Sequence, residues 1–455
     1  MTNARCAWLV LKCFSTVSLA FVFASASPTA FAQSSAPAPP QSPAGRQSAA
    51  PESLTLQQAE AIAIQNHPQI QAATYQAAAA KAQITEEKSV YYPNAVGSLT
   101  GVEAENNSRI AAGALNNPII YDRYANGVAV SQLVTDFGRT HELVKSSNLH
   151  AAAANEDVVT SRADVLLAVD QAYFGALKAQ AVLKVAQETV NDRRLVSDQV
   201  TELEKNQIKS GLDVSFANVD LSQAQLLLVQ AQNDVEASYA ELSLALGYGA
   251  QKTFNLAEAA LPGAPPADFG NLLQQAIQNR PELISLRLDA NAAHAYATAE
   301  RDLWFPTVSA AGAAGLTPFG ADQLAPRYAA AGFNVNIPLF NGHLFGALRS
   351  EADAKARAED QNVRAMQDRV VHDVRTAWLN ASSAYQRLSL TEQLLAAASQ
   401  AVELAQSRYK LGLSSIIELS QAQLNQTQAQ IAEASAKYDY AAQTSNLNYQ
   451  IGALH

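Results

Sequence analysis

Between Gly138 and Gly211, and again between Gly342 and Gly412, small and apolar residues recur at spacings that alternate between four and three. The first series is Val165, Val169, Ala172, Ala176, Ala179, Leu183, Ala186 and Val190. A step of 205 residues gives Val370, Val374, Ala377, Ala381, Ala384, Leu388, Thr391 and Leu395, the same series with one polar replacement. A mean period of 3.5 is the seam of a coiled coil, and its alanines let neighbouring helices approach closely. Each stretch continues for about 65 residues with Gly175 or Gly346 as its isolated breaker, which predicts a rod of roughly 100 Å. Gly211 and Gly412 are expected to end the rods, with a further helix running back from each to Gly247 and Gly452.

Elsewhere the period is two. Ala331, Phe333, Val335, Ile337 and Leu339 alternate with Gly332, Asn334, Asn336 and Pro338, the pattern of a strand with one apolar face. Tyr124, Val128 and Val130 form a less regular counterpart, and partner strands are expected near 93–104 and 306–316. Polar loops, 105–120 and 317–326, separate the strands of each pair. An Ala-rich helix precedes each pair; the first starts at a Thr55–Gln58 capping box and is expected to continue to about Val90.

The two regions are copies of one unit. Ile64-Gln65-Asn66-His67-Pro68 returns as Ile277-Gln278-Asn279-Arg280-Pro281, and Tyr91-Tyr92-Pro93 as Trp304-Phe305-Pro306, both at a shift of 213. Further on the shift is 205, taking Gly127-Val128-Ala129-Val130 onto Gly332-Phe333-Asn334-Val335 and Leu246-Gly247 onto Ile451-Gly452. A longer loop in the first copy accounts for the difference. The expected organisation is an export signal over 1–32, ending in Ala30-Phe31-Ala32, and a Pro/Ala/Ser-rich disordered leader over 33–53. The first repeat follows over 54–247, then a linker with Pro262, Gly263, Pro265 and Pro266 over 248–270, and the second repeat over 271–455.

Composition removes several function classes. Lys plus Arg number 31 against 41 Asp plus Glu, a net charge of −10, and no basic stripe offers itself to nucleic acid. No run after the signal approaches the length of a transmembrane helix. Both cysteines, Cys6 and Cys13, lie in the signal, so no disulfide or thiolate chemistry is expected. The chain lacks H-E-x-x-H, G-x-S-x-G and P-loop motifs, and its seven histidines are scattered. No enzyme, cofactor or metal site is expected, and any transport must be powered by a partner.

Four strands per chain cannot close a membrane barrel, for which about eight is the minimum. Three chains pooling their strands would supply twelve. Aromatic residues at the strand ends (Tyr91, Tyr92, Tyr121, Phe137, Trp304, Phe305, Tyr328 and Phe340) suit an interfacial girdle, or alternatively plug the end of a soluble sheet.

The duplicated layout, Asn-x-Pro near each copy's start, aromatic-Pro at each first strand, and Tyr409-Lys410-Leu411-Gly412-Leu413-Ser414 together resemble the TolC-type outer-membrane efflux channel family. So do the strand-to-rod junctions Val134-Thr135-Asp136-Phe137-Gly138-Arg139 and Pro338-Leu339-Phe340-Asn341-Gly342. The resemblance covers residues 54–455. It implies a mainly α chain with a small β part, forming a homotrimer with a twelve-stranded β-barrel on an α-helical coiled-coil tunnel. The barrel would sit in outer-membrane lipid, with Val128, Val130, Phe333, Val335 and Ile337 facing it. The tunnel tip would meet a periplasmic adaptor protein through Gly211, Leu212, Gly412, Leu413 and Ser414, beneath which stands an inner-membrane pump. Asp213, Glu418 and Tyr409 would form the periplasmic aperture; a second acidic position is Gln421 here, and the family's tip arginine is Ser414. For Asp213 to stand opposite Glu418, the first copy is expected to lack about one helical turn after Leu212. The implied function is passive exit of small molecules from a tripartite pump. Two alternatives remain open from the sequence: a channel for type I protein secretion, and a periplasmic coiled-coil scaffold without a pore.

Overall fold

The computed structural model describes residues 53–105, 108–109, 119–320 and 322–454. The expected signal, most of the leader and most of the 105–120 loop lie outside them. The first copy contains α1 (Leu56–Asn66), α2 (Pro68–Lys88), β1 (Asn94–Val102), β2 (Arg123–Thr135), α3 (Arg139–Lys205) and α4 (Gly211–Ala245). The second contains α5 (Phe269–Asn279), α6 (Pro281–Arg301), β3 (Thr307–Gly320), β4 (Arg327–Asn336), α7 (Leu344–Lys410) and α8 (Ile416–Gln450). Matching helices have identical lengths of 11, 21, 67 and 35 residues in the two copies.

The Thr55–Gln58 capping box opens α1 as expected, with Thr55 N–H donating to Gln58 Oε1 at 2.9 Å. The single Ala-rich helix expected up to Val90 is two helices. His67 takes the extended backbone that a following proline favours (φ −70°, ψ 123°), and Pro68 then starts α2 at the position where its missing N–H is not needed. Arg280 and Pro281 repeat the break in the second copy.

This break has a packing role. Each rod carries two shorter helices laid end to end along it: α4 and α2 on α3, α8 and α6 on α7. Where they meet, Gly247 (φ 75°) and Gly452 (φ 71°) turn the chain against the Asn-x-Pro corners. A Cβ built on Gly452 would stand 2.8 Å from the carbonyl carbon and oxygen of Asn279, and one on Gly247 would stand 3.1 Å from His67 Cα. Glycine is required at both positions by conformation and by space.

Around these corners lie two apolar cores, one built on Ala59, Ala63, Val169, Tyr173, Leu242 and Leu246, the other on Leu272, Leu283, Val370, Val374, Leu447 and Ile451. The coiled-coil seam supplies most of the rod residues in both, although Ala179 and Leu183 are half-buried. Tyr173 and Trp378, 205 apart, tie down the connecting segments. The Tyr173 hydroxyl lies 2.9 and 2.6 Å from the carbonyl oxygens of Leu54 and Ala257, and the Trp378 indole donates to Pro266 at 2.8 Å. Beside the first core, Asp170 is buried against Glu60 and Ser445. Burial and the charge of Asp170 push the Glu60 carboxyl up to about 7. The second copy has Leu273 and Arg375 at the matching places.

The strands form one antiparallel sheet in the order β1-β2-β3-β4. Cross-strand partners share a face. Val128 pairs with Ala314 and this with Ala329; Val130 pairs with Gly312 and this with Ala331; Phe333 and Val335 pair with Ala310 and Val308. That face is apolar and open to its surroundings, with Phe333 81% and Val335 46% exposed. Asn94, Ser98, Ser131, Ser309, Asn334 and Asn336 lie on the other face with alanines, glycines, Val96 and Leu133. β1 and β4 each leave an unpaired edge, and β4 starts and stops earlier than the alternation suggested. Ile337 falls just beyond its end, next to Pro338, which has no N–H to give to a ladder. Tyr328 does not belong to the expected girdle. It sits on the face opposite Phe333, its ring over Gly127 and Gly315, where a Cβ would collide with it.

Candidate functional site

The far ends of the rods are two hairpin tips, 206–210 and 411–415, each joining antiparallel helices through five residues. Both use the same hydrogen-bond pattern to stop the rod. Ile208 N–H donates to Leu203 O at 2.9 Å and Gln207 N–H to Glu204 O at 2.7 Å; Leu413 and Gly412 repeat this with Arg408 and Tyr409 at 2.8 and 3.1 Å. This is the Schellman closure, which places one residue in the left-handed region. In the second tip that residue is Gly412 (φ 74°), as expected. In the first it is Gln207 (φ 61°), not Gly211. Gly211 instead opens α4, and its counterpart is Ile416. The first copy therefore lacks no helical turn here: Asp213 and Glu418 are equivalent positions at the 205 shift, each the third residue of its helix.

The equivalence regroups the tip residues. Leu413 corresponds to Ile208, which sequence reading passed over, and Leu212 to Ile417. All four apolar side chains are more than half exposed, Ile208 66% and Leu413 67%. Carrying the 205 register three residues past Lys205 and Lys410 reveals Ile208; the search for a glycine hid it.

The two carboxylates have different surroundings. Asp213 closes a capping box on α4: its Oδ2 accepts from the Ser210 N–H at 3.1 Å and the Ser210 hydroxyl at 2.9 Å. Glu418 turns to Arg408, with Nε 3.1 Å from Oε1, both side chains about half exposed. An ion pair of that exposure is worth about 0–1 kcal/mol. Gln421 is exposed and donates to Asn425 at 3.0 Å.

Tyr409 joins the hairpins. Its ring is 6% exposed and packs in a cluster of Val200 and Ala217 from the first hairpin with Ala405, Ile416 and Leu419 from the second. Lys209 Nζ stands 3.9 Å from the ring centroid, a cation–π contact from the other tip. Burial, reinforced by the charge of Asp213, pushes the phenol pKa up, so the ring stays neutral. The Tyr409 hydroxyl and the Ser414 hydroxyl are buried without hydrogen-bond partners among the described residues. Higher up, Ser420 of α8 donates to Asp220 of α4, a second cross-link between the hairpins. The structure thus brings Tyr409 and Asp213 together, sets Glu418 apart on Arg408, and leaves Leu212, Leu413 and Gly412 on the outside of the tips.

No helix among the described residues is long and apolar enough to cross a membrane. The free-edged sheet with its apolar face stands at one end of these rods and the tips at the other. The family model for outer membrane efflux proteins matches residues 61–248 and 272–453, one match per copy. The chain is 21% identical over 351 residues to the outer membrane protein TolC of Salmonella enteritidis, spanning 73% of this chain and 72% of that protein. It is 26% identical over 334 residues to the toluene efflux pump outer membrane protein TtgC of Pseudomonas putida, spanning 69% and 66%. The solved structure of the outer membrane protein VceC from Vibrio cholerae superposes with a TM-score of 0.74 at 17% identity, covering 87% of this chain and 96% of that one. The chain belongs to the outer membrane efflux protein family, and it is an outer-membrane efflux channel of the TolC type whose helical part extends into the periplasm.

Proposed function

We propose that three copies of the chain close a twelve-stranded barrel in the outer membrane. The helical hairpins together then form a tunnel through which an inner-membrane pump, coupled by a periplasmic adaptor, exports small molecules. The observation that carries this reading is the four-stranded sheet: it exposes Phe333 and Val335 on one face, carries mostly small and polar groups on the other, and has two unpaired edges. Alone it would leave backbone groups unsatisfied in lipid; shared among three chains it has no edges. Small molecules rather than polypeptides are favoured by the similarity to a toluene efflux pump component. The apolar tip residues Ile208, Leu212, Leu413 and Ile417 are the adaptor-contact surface, with Gly412 setting their loop and Gly211 and Ser414 beside them. Asp213, Glu418 and Tyr409 bound the aperture. The test is to purify the protein from outer membranes, measure its mass in detergent, and insert it into planar bilayers. A trimer with discrete conductance supports the reading. A monomer released as a soluble protein would overturn it.

A further inference from the structure

Arg193 is a charge that the tunnel's architecture does not explain. It lies on α3, 12 residues before the rod ends at Lys205, and is 7% exposed. Its side chain lines a cavity of about 480 Å³ between α3, α4 and α8, yet it forms no ion pair or hydrogen bond among the described residues. Asp220, on the same cavity, is engaged by the Ser420 hydroxyl. The charges of Asp220 and Asp192 favour the guanidinium, while burial opposes it and pushes its pKa down. A guanidinium carries five N–H donors, none of them taken up by a protein acceptor among the described residues.

The internal duplication supplies a control. The residue 205 positions on is Ala398, also buried, at 8% exposure. The rod packs with a methyl group at that place, so the helix pairing does not demand an arginine. The rest of the cavity wall is mixed: Phe216, Leu227, Leu424 and Ile431 give it apolar surface, and Gln223, Thr427 and Gln428 add neutral polar groups.

We propose that this cavity is a binding site for an amphipathic carboxylate. The two carboxylate oxygens take the planar fork of Arg193, a bidentate match, and the apolar body lies against Phe216, Leu227 and Leu424. The volume falls within the roughly 300–1,000 Å³ of small-molecule sites. Asp220 on the same wall sets a limit on charge, since a second negative group on the ligand would face it. Arg193 and Phe216 belong to the first hairpin and Leu424 to the second, so the ligand touches both.

The experiment uses the full chain in phosphatidylcholine nanodiscs, with 1-pyrenebutyrate as probe, 1-pyrenebutanol as its uncharged counterpart, and empty nanodiscs as the lipid reference. Free probe is measured after ultrafiltration. Saturable binding of the acid beyond the lipid reference is expected, weakened at least tenfold in Arg193→Ala and less in Arg193→Lys, with the alcohol indifferent to both changes. Leu424→Trp, which narrows the cavity and leaves Arg193 in place, is expected to weaken the acid as well, and it decides the matter if Arg193→Ala fails to fold. No binding above the lipid reference, unchanged affinity in the folded variants, or equal loss of acid and alcohol in Arg193→Ala would overturn the proposal.

Discussion

Replacing Gly452 by alanine isolates the corner at which α8 meets α6. Two effects add. A left-handed φ of 71° is unfavourable for any residue with a Cβ by about 1–2 kcal/mol. The new methyl would also stand 2.8 Å from the carbonyl group of Asn279, which is backbone held between two helices and cannot swing aside as a side chain can. Overpacking of that kind is unfavourable by a further ~1–3 kcal/mol, so the expected destabilisation is about 2–5 kcal/mol. Gly412→Ala separates the terms, because Gly412 has a similar φ of 74° but nothing within 4 Å of a built Cβ; about 1–2 kcal/mol is expected there. Gly247→Ala, with its nearest backbone atoms at 3.1–3.3 Å, should fall between. The assay is the midpoint of heat-induced loss of helicity in detergent, at one scan rate for all variants because unfolding of such proteins is not reversible. The expected order of midpoints is Gly412→Ala, then Gly247→Ala, then Gly452→Ala as the lowest. If Gly452→Ala and Gly412→Ala coincide, the close approach of the corner adds nothing and the reasoning fails.

Further predictions concern the tips and the Glu60–Asp170 acid pair. Tyr409→Ala empties a buried contact between hairpins and should weaken it by about 3–5 kcal/mol, seen as raised conductance in planar bilayers. Tyr409→Phe should behave as wild type, because the hydroxyl has no partner to lose; a strongly leaky Tyr409→Phe would refute a packing role. Glu418→Ala should reduce cation preference, and Arg408→Ala should increase it by freeing the carboxylate; reversal potentials in a salt gradient read both. Glu60 holds its proton in the folded protein up to about pH 7, against an ordinary 4.5. Between those values the folded state binds the proton more tightly than the unfolded one, so this group's contribution to stability falls as pH rises through that window. Glu60→Gln should flatten the decline and be more stable than wild type at pH 8, measured as melting midpoints from pH 5 to 8.

Periodicity made most of the fold readable. The 4-3 seam announced both rods because every residue on it answers the same demand for close helix contact, and the 205 shift carried one rod onto the other. The break at Pro68 was less visible, since the alanines on either side suit one helix or two; what separates them is Gly247 approaching from another part of the chain. The limits of β4 were similarly hidden, because Ala329, Ala330, Ala331 and Gly332 show no amphipathic alternation and the pairing with β3 alone sets its length. At the tips, composition pointed to glycine while geometry chose Gln207, a left-handed position fixed by hydrogen bonds around it. Asp213 is legible as an acidic tip residue, while its hydrogen bonds to Ser210 come from the fold. Tyr409 is legible as a seam residue beside the tip, while its burial between the hairpins and its contact with Lys209 come from the fold. Arg193 carried no motif; nothing but burial distinguishes it from other rod charges.

The equality of α3 and α7, 67 residues each, ties the evolutionary fate of one half of the gene to that of the other. In the proposed trimer, lengthening a single hairpin by one heptad would preserve its seam yet push its end about 10 Å beyond its neighbour's, turning a level rim into a crenellated one. A partner that seats on such a rim would lose every second contact at once. Changes in tunnel length are therefore admissible in matched pairs, and a lineage that alters one half without the other should be found only where the mating ring has been rebuilt to suit.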